Sequence, residues 1–399
     1  MKDKLVLAYS GGLDTSFCIP YLIEQGYEVD AVTIDTGGFL SDEKIEIKER
    51  ALSLGASHYE CIDISEKYYE KCLRFLLFGN VLRNQTYPLS VSSERAFQAL
   101  AILDYCRKND AKYVAHGSTG AGNDQIRFDL MFQSLAPDIQ IITPIRDNSL
   151  SRQEEVDFLE KHGVHWSEEK KNYSINVGIW GTSVGGKETL TSHQALPESA
   201  YPSQVSAQEP LDIEIGFKKG EVATLNGKSF QHPIELIKEL ESIASAYGIG
   251  RDVHVGDTII GIKGRVGFEA AASLILIKAH HLLEKHVLSK WQNHWKQQLA
   301  DWYGMMLHEG QYLDPVMRNL ETFIADTQST VTGNVFVTLR PYQFLLKGIE
   351  SPHDLMRSEF GQYGEMNKGW SADEAKGFIK ILANQYKIYH GVNKTKIEL

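Results

Sequence analysis

Residues 4–16 read KLVLAYSGGLDTS, and the fold follows from them. The run KLVLAY at residues 4–9 has the composition of a buried strand, and helical spacing begins at Thr15. Between the two lies a turn that holds the glycines Gly11 and Gly12 and the hydroxyls of Ser10, Thr15 and Ser16. Such a turn between strand and helix is a phosphate site. Glycine lets the backbone approach an anion, successive N–H groups form a concave nest, and the helix start adds partial positive charge. The competing reading is a plain tight turn capped by Asp14, and it leaves the strand–turn–helix placement without a purpose.

Working outward, further strands are predicted at 28–34 (EVDAVTI), 113–116 (YVAH) and 139–143 (IQIIT). Helical spacing covers 15–25, 43–54 and 94–107. Strands alternating with helices imply βαβ units, hence an α/β, Rossmann-like nucleotide-binding domain built on a parallel sheet. After a helix at 152–162 the character changes. Residues 173–186 are rich in Gly, Ser and Asn, and a domain boundary is expected near them. Beyond Pro210, LDIEIGF (211–217), the turn KKGEV (218–222) and VATLNGKSF (222–230) read as a hairpin. Helices are expected at 232–247 and 269–308, and a second hairpin from STVTG (329–333) and NVFVTLR (334–340) joined at Gly333-Asn334. The second domain therefore reads as α+β. An amphipathic segment at 371–389 follows Gly361, Gly364 and Gly369 and reads as a swinging helical arm. The expected division is 1–168, 169–360 and 361–399.

The chain has 399 residues and a formal charge of -11, with 52 acidic against 41 basic residues. That charge argues against a broad nucleic-acid surface while leaving room for small anions held locally. The cysteines Cys18, Cys61, Cys72 and Cys106 are far apart, with no CxxC pair, which fits a reducing, cytoplasmic setting. The apolar stretch at the N-terminus is too short for a signal peptide, and no run of about 18 apolar residues predicts a membrane span.

A Walker A loop requires Lys and then Ser or Thr after its last glycine, and the first turn has neither. GTSVGGKE at 181–188 matches G-x-x-x-x-G-K, but Glu188 replaces the magnesium-binding hydroxyl and Pro197 soon interrupts any helix. The S-G-G-x-D-x-S pattern at 10–16 instead resembles the PP-loop of ATP pyrophosphatases. That resemblance implies that the loop grips pyrophosphate while a substrate oxygen attacks the α-phosphorus.

A second cluster, AHGSTGAGNDQIR at 115–127, also follows a strand, so its glycines open at the same sheet edge. Together with AYSGGLDTS at 8–16 it resembles the argininosuccinate synthase family over most of the chain, most strongly up to about Ile142. The resemblance implies a two-step ligation. The ureido oxygen of citrulline attacks ATP, pyrophosphate leaves, and aspartate nitrogen displaces AMP. By motif, Ala8, Tyr9, Ser10, Gly11, Gly12, Leu13, Asp14, Thr15 and Ser16 match the ATP loop, with Ile34 at the adenosine and Gly117 over the nucleotide. Thr119, Asn123 and Asp124 match the aspartate site, and Asp124 is the catalytic candidate that orients the amine. Tyr87, Ser92, Asn123, Arg127, Ser174 and Ser183 match citrulline contacts, and Arg95 sits beside them. Read by residue type alone, these are turn, cap and ion-pair residues. The resemblance also implies Mg2+ arriving with ATP as the substrate complex, no resident metal, and a homotetramer assembled through the terminal arm.

In GRDVHVGDTIIGIKGRVGFEA at 250–270 the family pattern breaks. Gly256 stands where an acidic citrulline contact is expected and Phe268 where a tyrosine is, whereas Arg265 and Glu269 are kept. A carboxylate beside the α-ammonium offsets its buried charge. Either Asp257 takes over that contact, or the site accepts citrulline acylated at its α-nitrogen. A third reading is a nucleotide-sensing PP-loop protein without turnover. His280, His281, Glu284 and His286 lack HExxH spacing and read as solvated helix groups. Trp291, Trp295 and Trp302 recur at helical intervals and read as core or subunit interface.

Overall fold

The strands β1 (Lys4–Ala8), β2 (Glu28–Asp35), β3 (His58–Asp63), β4 (Tyr113–His116) and β5 (Gln140–Ile142) form a parallel sheet in the order β3-β2-β1-β4-β5. Alternate side chains of β1 feed two cores. Leu5 and Leu7 pack with Phe17, Ile19 and Leu22 of α1 (Leu13–Glu24), whereas Val6 faces the other side with Val32 and Ile34. Burial on both faces is why these strands read as continuous apolar runs. The chain leaves β1 toward β2 but places β4 on the opposite side. The carboxyl ends of β1 and β4 therefore flank the point where the strand order reverses, the usual place for a ligand in such a sheet.

The computed structural model describes residues 2–166, 173–361, 363–365 and 368–394. By contact density the chain falls into two units, Met1–His353 and Asp354–Leu399. The expected boundary at 168 and 169 falls outside the described residues. The remaining helices of the first part are α2 (Ser41–Ser53), α3 (Ser65–Tyr68), α4 (Arg74–Phe78), α5 (Ser90–Lys108), α6 (Asp124–Leu135), α7 (Pro144–Asp147) and α8 (Arg152–Lys161). A π turn at Tyr69–Leu73 joins α3 to α4.

Among the described residues nine strands follow: β6 (Ser174–Asn176), β7 (Thr182–Gly185), β8 (Leu211–Lys218), β9 (Glu221–Leu225), β10 (Lys228–Ser229), β11 (Arg251–Asp257), β12 (Lys263–Glu269), β13 (Gly333–Arg340) and β14 (Gln343–Glu350). They form two sheets, β11-β12-β7-β6 and β10-β9-β8-β13-β14, whose pairings are antiparallel. The α/β first part and α+β second part match the expected class.

Several expectations are corrected. β3 went unpredicted because HYECID is an edge strand with acidic and half-exposed positions, so its alternation is weak. The helix expected over 269–308 is two helices, Ala271–Val287 and Lys290–His308, because Ser289 caps the second and its hydroxyl and Gln292 form a capping box. The hairpin expected at Gly333-Asn334 turns instead at Pro341-Tyr342. Thr327–Thr330 is a 3-10 turn, and β13 pairs with β14. A helix at Pro315–Asp326, started by the Asp314 cap, was not foreseen. The Gly-rich stretch near 173–186 holds two strands, β6 and β7, so the G-x-x-x-x-G-K match lies in a sheet and a 3-10 turn with no long helix behind it.

Trp291, Trp295 and Trp302 are 55–62% exposed and belong to no core. His280 and Glu284 are not solvated either. Both are fully buried in a polar cluster where Lys296 donates to Glu284 at 2.5 Å, Gln328 donates to Glu284 at 2.9 Å, and His280 sits 2.7 Å from Asn80. Among the described residues no three His, Cys, Asp or Glu side chains gather as metal ligands. No helix among them is long and apolar enough to cross a membrane.

In the second unit the expected single helix at 371–389 is broken at Ala383 into Ala372–Leu382 and Asn384–Asn393. Within it Phe378, Ile379, Ile381, Tyr386 and Ile388 are each more than 60% exposed, so its apolar stripe has no cover in this unit.

Candidate active site

The first turn begins where β1 ends. Gly11 has φ +76°, a left-handed conformation that glycine adopts without penalty, and a Cβ there would meet Ile47 of α2 at 2.7 Å. Gly12 is the N-cap of α1 and offers no side-chain cap, so the first-turn N–H groups stay open to a ligand. The hydroxyls around the turn fix one another: Ser10 Oγ lies 3.1 Å from Thr15 Oγ1, and Gly12 N–H donates to Ser10 Oγ at 3.3 Å. Arg50 of α2 donates to the Gly11 carbonyl at 2.5 Å, and its guanidinium lies over the Trp166 ring.

Asp14 faces Glu155 of α8. Burial and the neighbouring Asp14 charge push the Glu155 carboxyl up to about 8, while burial also raises Asp14. Ser16 is fully buried, with its hydroxyl 3.4 Å from the Tyr9 hydroxyl.

The second turn leaves β4. A Cβ on Gly117 would lie 3.1 Å from the backbone of Asp14 and Thr15, so glycine allows the two turns to touch. Gln125 donates to the carbonyls of Gly120 and Gly122, and Asn123 Oδ1 accepts from the Ile259 N–H at 2.9 Å. The latter bond ties the β11–β12 hairpin to the start of α6.

Asp124 lies between two guanidiniums, Arg95 Nε at 2.8 Å and Arg127 Nη1 at 2.9 Å. Burial disfavours its charge, but the two arginines outweigh burial and hold the carboxyl down at about 2. Arg127 also donates from Nε and Nη2 to the His308 carbonyl at 2.9 and 2.8 Å. Two of its five N–H bonds are left for another acceptor.

Tyr87 stacks on His254 at 5.2 Å and packs on Phe268 at 5.4 Å, and its hydroxyl accepts from Ser90 at 3.0 Å. Ser92 Oγ is buried without a hydrogen-bond partner. Gly256 is constrained by its neighbours, since a Cβ there would stand 2.7 Å from His254 Nε2. Asp257 is 61% exposed and paired with Lys263 at 2.6 Å.

These groups surround one cavity of about 1260 Å3. Ala8, Tyr9, Ser10, Gly11, Gly12, Leu13, Asp14 and Thr15 line it, as do Ile34, Gly117, Thr119, Asn123, Asp124, Arg127, Tyr87, Ser92, Ser174 and Ser183. Of the residues matched to ATP, aspartate or citrulline contacts, Ser16 alone is missing from its walls. Phe268 lies behind Tyr87 and is fully buried. Arg50, Arg152, Glu94, His254 and His308 also line the cavity and were not singled out. Glu94 had a signal, because it sits on the Val91, Gln98, Ile102 stripe of α5. His308 had none, since only the return of the Lys290–His308 helix brings it here.

Comparison with known proteins agrees over both parts of the chain. Residues 4–165 match the family described as arginosuccinate synthase N-terminal HUP domain, and residues 173–389 match the arginosuccinate synthase C-terminal domain. Relatives named argininosuccinate synthase include one from Dictyoglomus turgidum, 37% identical over 97% of this chain and 98% of its own. One from Xylella fastidiosa is 36% identical over 99% of each chain. One from Methanocaldococcus jannaschii is 35% identical over 99% of this chain and 100% of its own.

Proposed function

The chain belongs to the argininosuccinate synthase family, and from that premise we propose how this cavity joins L-citrulline to L-aspartate. The protein is an ATP-dependent carbon–nitrogen ligase of arginine biosynthesis that releases AMP and pyrophosphate through a citrullyl-adenylate. The observation that supports the assignment of roles most is the meeting of the two turns, at 10–15 and 117–124, with Arg127, Ser92 and Ser183 around one cavity.

In this reading the nest at Ser10, Gly11 and Gly12 holds the phosphates, and Ile34 lies against the adenosine. Mg2+ enters on the ATP phosphates as part of that substrate. The ureido carbon is a poor electrophile until its oxygen carries AMP, so adenylation comes first. Arg127, through its two spare N–H groups, holds the citrulline carboxylate, with Tyr87, Ser92, Asn123, Ser174 and Ser183 around the rest. Thr119, Asn123 and Asp124 hold aspartate. Asp124, kept ionised by Arg95 and Arg127, orients the ammonium. Positioning of this kind supplies on the order of 7–11 kcal/mol.

We assign 1–168 to nucleotide binding, 169–360 to the synthetase part and 361–399 to an oligomerisation arm whose uncovered apolar stripe fits a homotetramer. A cytoplasmic setting fits the four free cysteines. Release of pyrophosphate and AMP that requires citrulline and aspartate together is the expected assay result. ATP binding without turnover supports the nucleotide-sensing reading instead.

A second reading of the amino-acid substrate is favoured by His254, whose imidazole fills the space beside Gly256. Asp257 nearby is already paired with Lys263. A citrulline acylated at its α-nitrogen brings no ammonium to be offset there. Steady-state rates with citrulline and with N-acyl-citrullines decide, and efficient turnover of free citrulline alone sinks the acylated version.

A further inference from the structure

We propose that Glu94 accepts the proton that the aspartate ammonium must lose before its nitrogen attacks the adenylated citrulline. The inference rests on the ligase reading above and adds a residue to it.

An amine enters as an ammonium and has no lone pair to attack with until a base removes one proton. Among the described residues six carboxyl side chains line the cavity: Asp14, Glu43, Glu46, Glu94, Asp124 and Asp257. Asp124 is clamped by Arg95 and Arg127, Asp257 is paired with Lys263, and Asp14 is engaged by Glu155 and faces the Arg152 charge. Glu43 accepts the Leu40 N–H at 2.8 Å, and Glu46 stands exposed on α2. A carboxylate held by two guanidiniums binds protons poorly, so Asp124 orients and does not deprotonate.

Glu94 differs from all of them. It is 1% exposed, its Oε1 has no hydrogen-bond partner, and its Oε2 receives one long bond from Gln98 at 3.4 Å. Oε1 faces Gly178, where even a methyl group has no room, so glycine there lets the loop ahead of β7 close over the carboxyl. A buried carboxyl with an unsatisfied oxygen at a cavity wall is costly unless an incoming group meets it.

The charges facing Glu94 come from each neighbouring element. Its own helix brings Arg95, the end of β2 brings Asp35 (paired with Lys44 of α2) and the Thr36 hydroxyl, α6 brings Asp124, and α3 and the π turn bring Tyr68 and Cys72. Residues 177–181 bring no titratable group. Burial dominates and pushes the carboxyl up to about 8. Arg95 and Thr36 oppose that rise, and Asp35 and Asp124 add to it. A base in that range keeps proton affinity near neutral pH.

The step balances as follows. The ammonium gives one proton to the Glu94 carboxylate, and its freed pair forms the C–N bond at the isourea carbon. The C–O bond to AMP breaks with its electron pair going to the AMP phosphate. The new nitrogen then gives a second proton to that phosphate, leaving a guanidinium. Glu94 returns its proton to water once product has gone.

The test separates the two half-reactions. Glu94→Gln is expected to lower kcat for ligation about 100-fold, within the usual range for losing a general base. Citrulline-dependent exchange of labelled pyrophosphate into ATP, measured without aspartate, should stay within about threefold of the parent. At saturating aspartate the parent kcat should rise with pH to a plateau above about pH 8, and Glu94→Gln should lose that limb. Glu94→Asp, which keeps a carboxyl, should recover part of the rate together with the limb. Equal loss of exchange and ligation in both variants, or a limb that survives Glu94→Gln, overturns the inference. A parent protein that shows no exchange with either citrulline or an N-acyl-citrulline overturns the ligase reading itself, a different result.

Discussion

Arg127 Nε and Nη2 both donate to the backbone carbonyl of His308, at 2.9 and 2.8 Å. His308 is the last residue of the helix Lys290–His308, so the arginine neutralises the negative end of that helix. The same guanidinium reaches Asp124. One side chain thus ties the second part of the chain to the Asp124 end of the cavity.

Arg127→Lys keeps the charge and loses the planar fork. Losing hydrogen bonds to a charged group, at about 1.5–3 kcal/mol, predicts a fall of roughly 10- to 100-fold in kcat/KM for citrulline. Steady-state kinetics check this, and a change of less than about threefold removes Arg127 from the substrate path.

Gly11→Ala should weaken ATP binding more than tenfold, because its Cβ collides with Ile47 and its φ is left-handed. Gly11→Ala combined with Ile47→Ala removes the collision but not the backbone penalty of about 1–2 kcal/mol. Partial recovery in titration calorimetry is expected. Full recovery, or none, contradicts this account of the turn.

Glu155 sets the sign of a pH effect on stability. Its folded carboxyl holds a proton up to about pH 8, because burial and the Asp14 charge outweigh Arg152, whereas its ordinary value is 4.5. Between those values the folded state binds more protons than the unfolded state, so stability falls as pH rises across that window. Glu155→Gln should flatten this dependence and be more stable than the parent near pH 9. Denaturant midpoints measured from pH 5 to 9 that keep the parent slope argue against a raised Glu155 carboxyl.

Lys296→Met should destabilise strongly. Lys296 is 2% exposed, and its Nζ meets Glu284, itself fully buried. Removing one partner strands the other charge, at roughly 3–5 kcal/mol. Thermal unfolding followed by circular dichroism should show a clear drop in midpoint. Lys296→Met with Glu284→Leu should regain much of it.

The sequence by itself determined the parallel sheet and the two turns at its edge, because local chemistry is sufficient there. Apolar runs buried on both faces read as strands, and glycines and hydroxyls between strand and helix read as an anion nest whatever else the chain does. Spacing within AYSGGLDTS and AHGSTGAGNDQIR carried the family. Ser289 and Gln292 also held a readable helix break, which the longer apolar periodicity around them masked. Tertiary structure alone decided which polar groups meet. Asp14 and Glu155 are 141 positions apart and shift each other's carboxyls only because α8 packs on α1. His308 reaches Arg127 by the return of a helix, and Glu94 was buried with one oxygen unsatisfied only when β2, α6 and residues 177–181 enclosed it. Charge state and partnership depend on burial and on neighbours distant in the chain, and one-dimensional spacing holds neither.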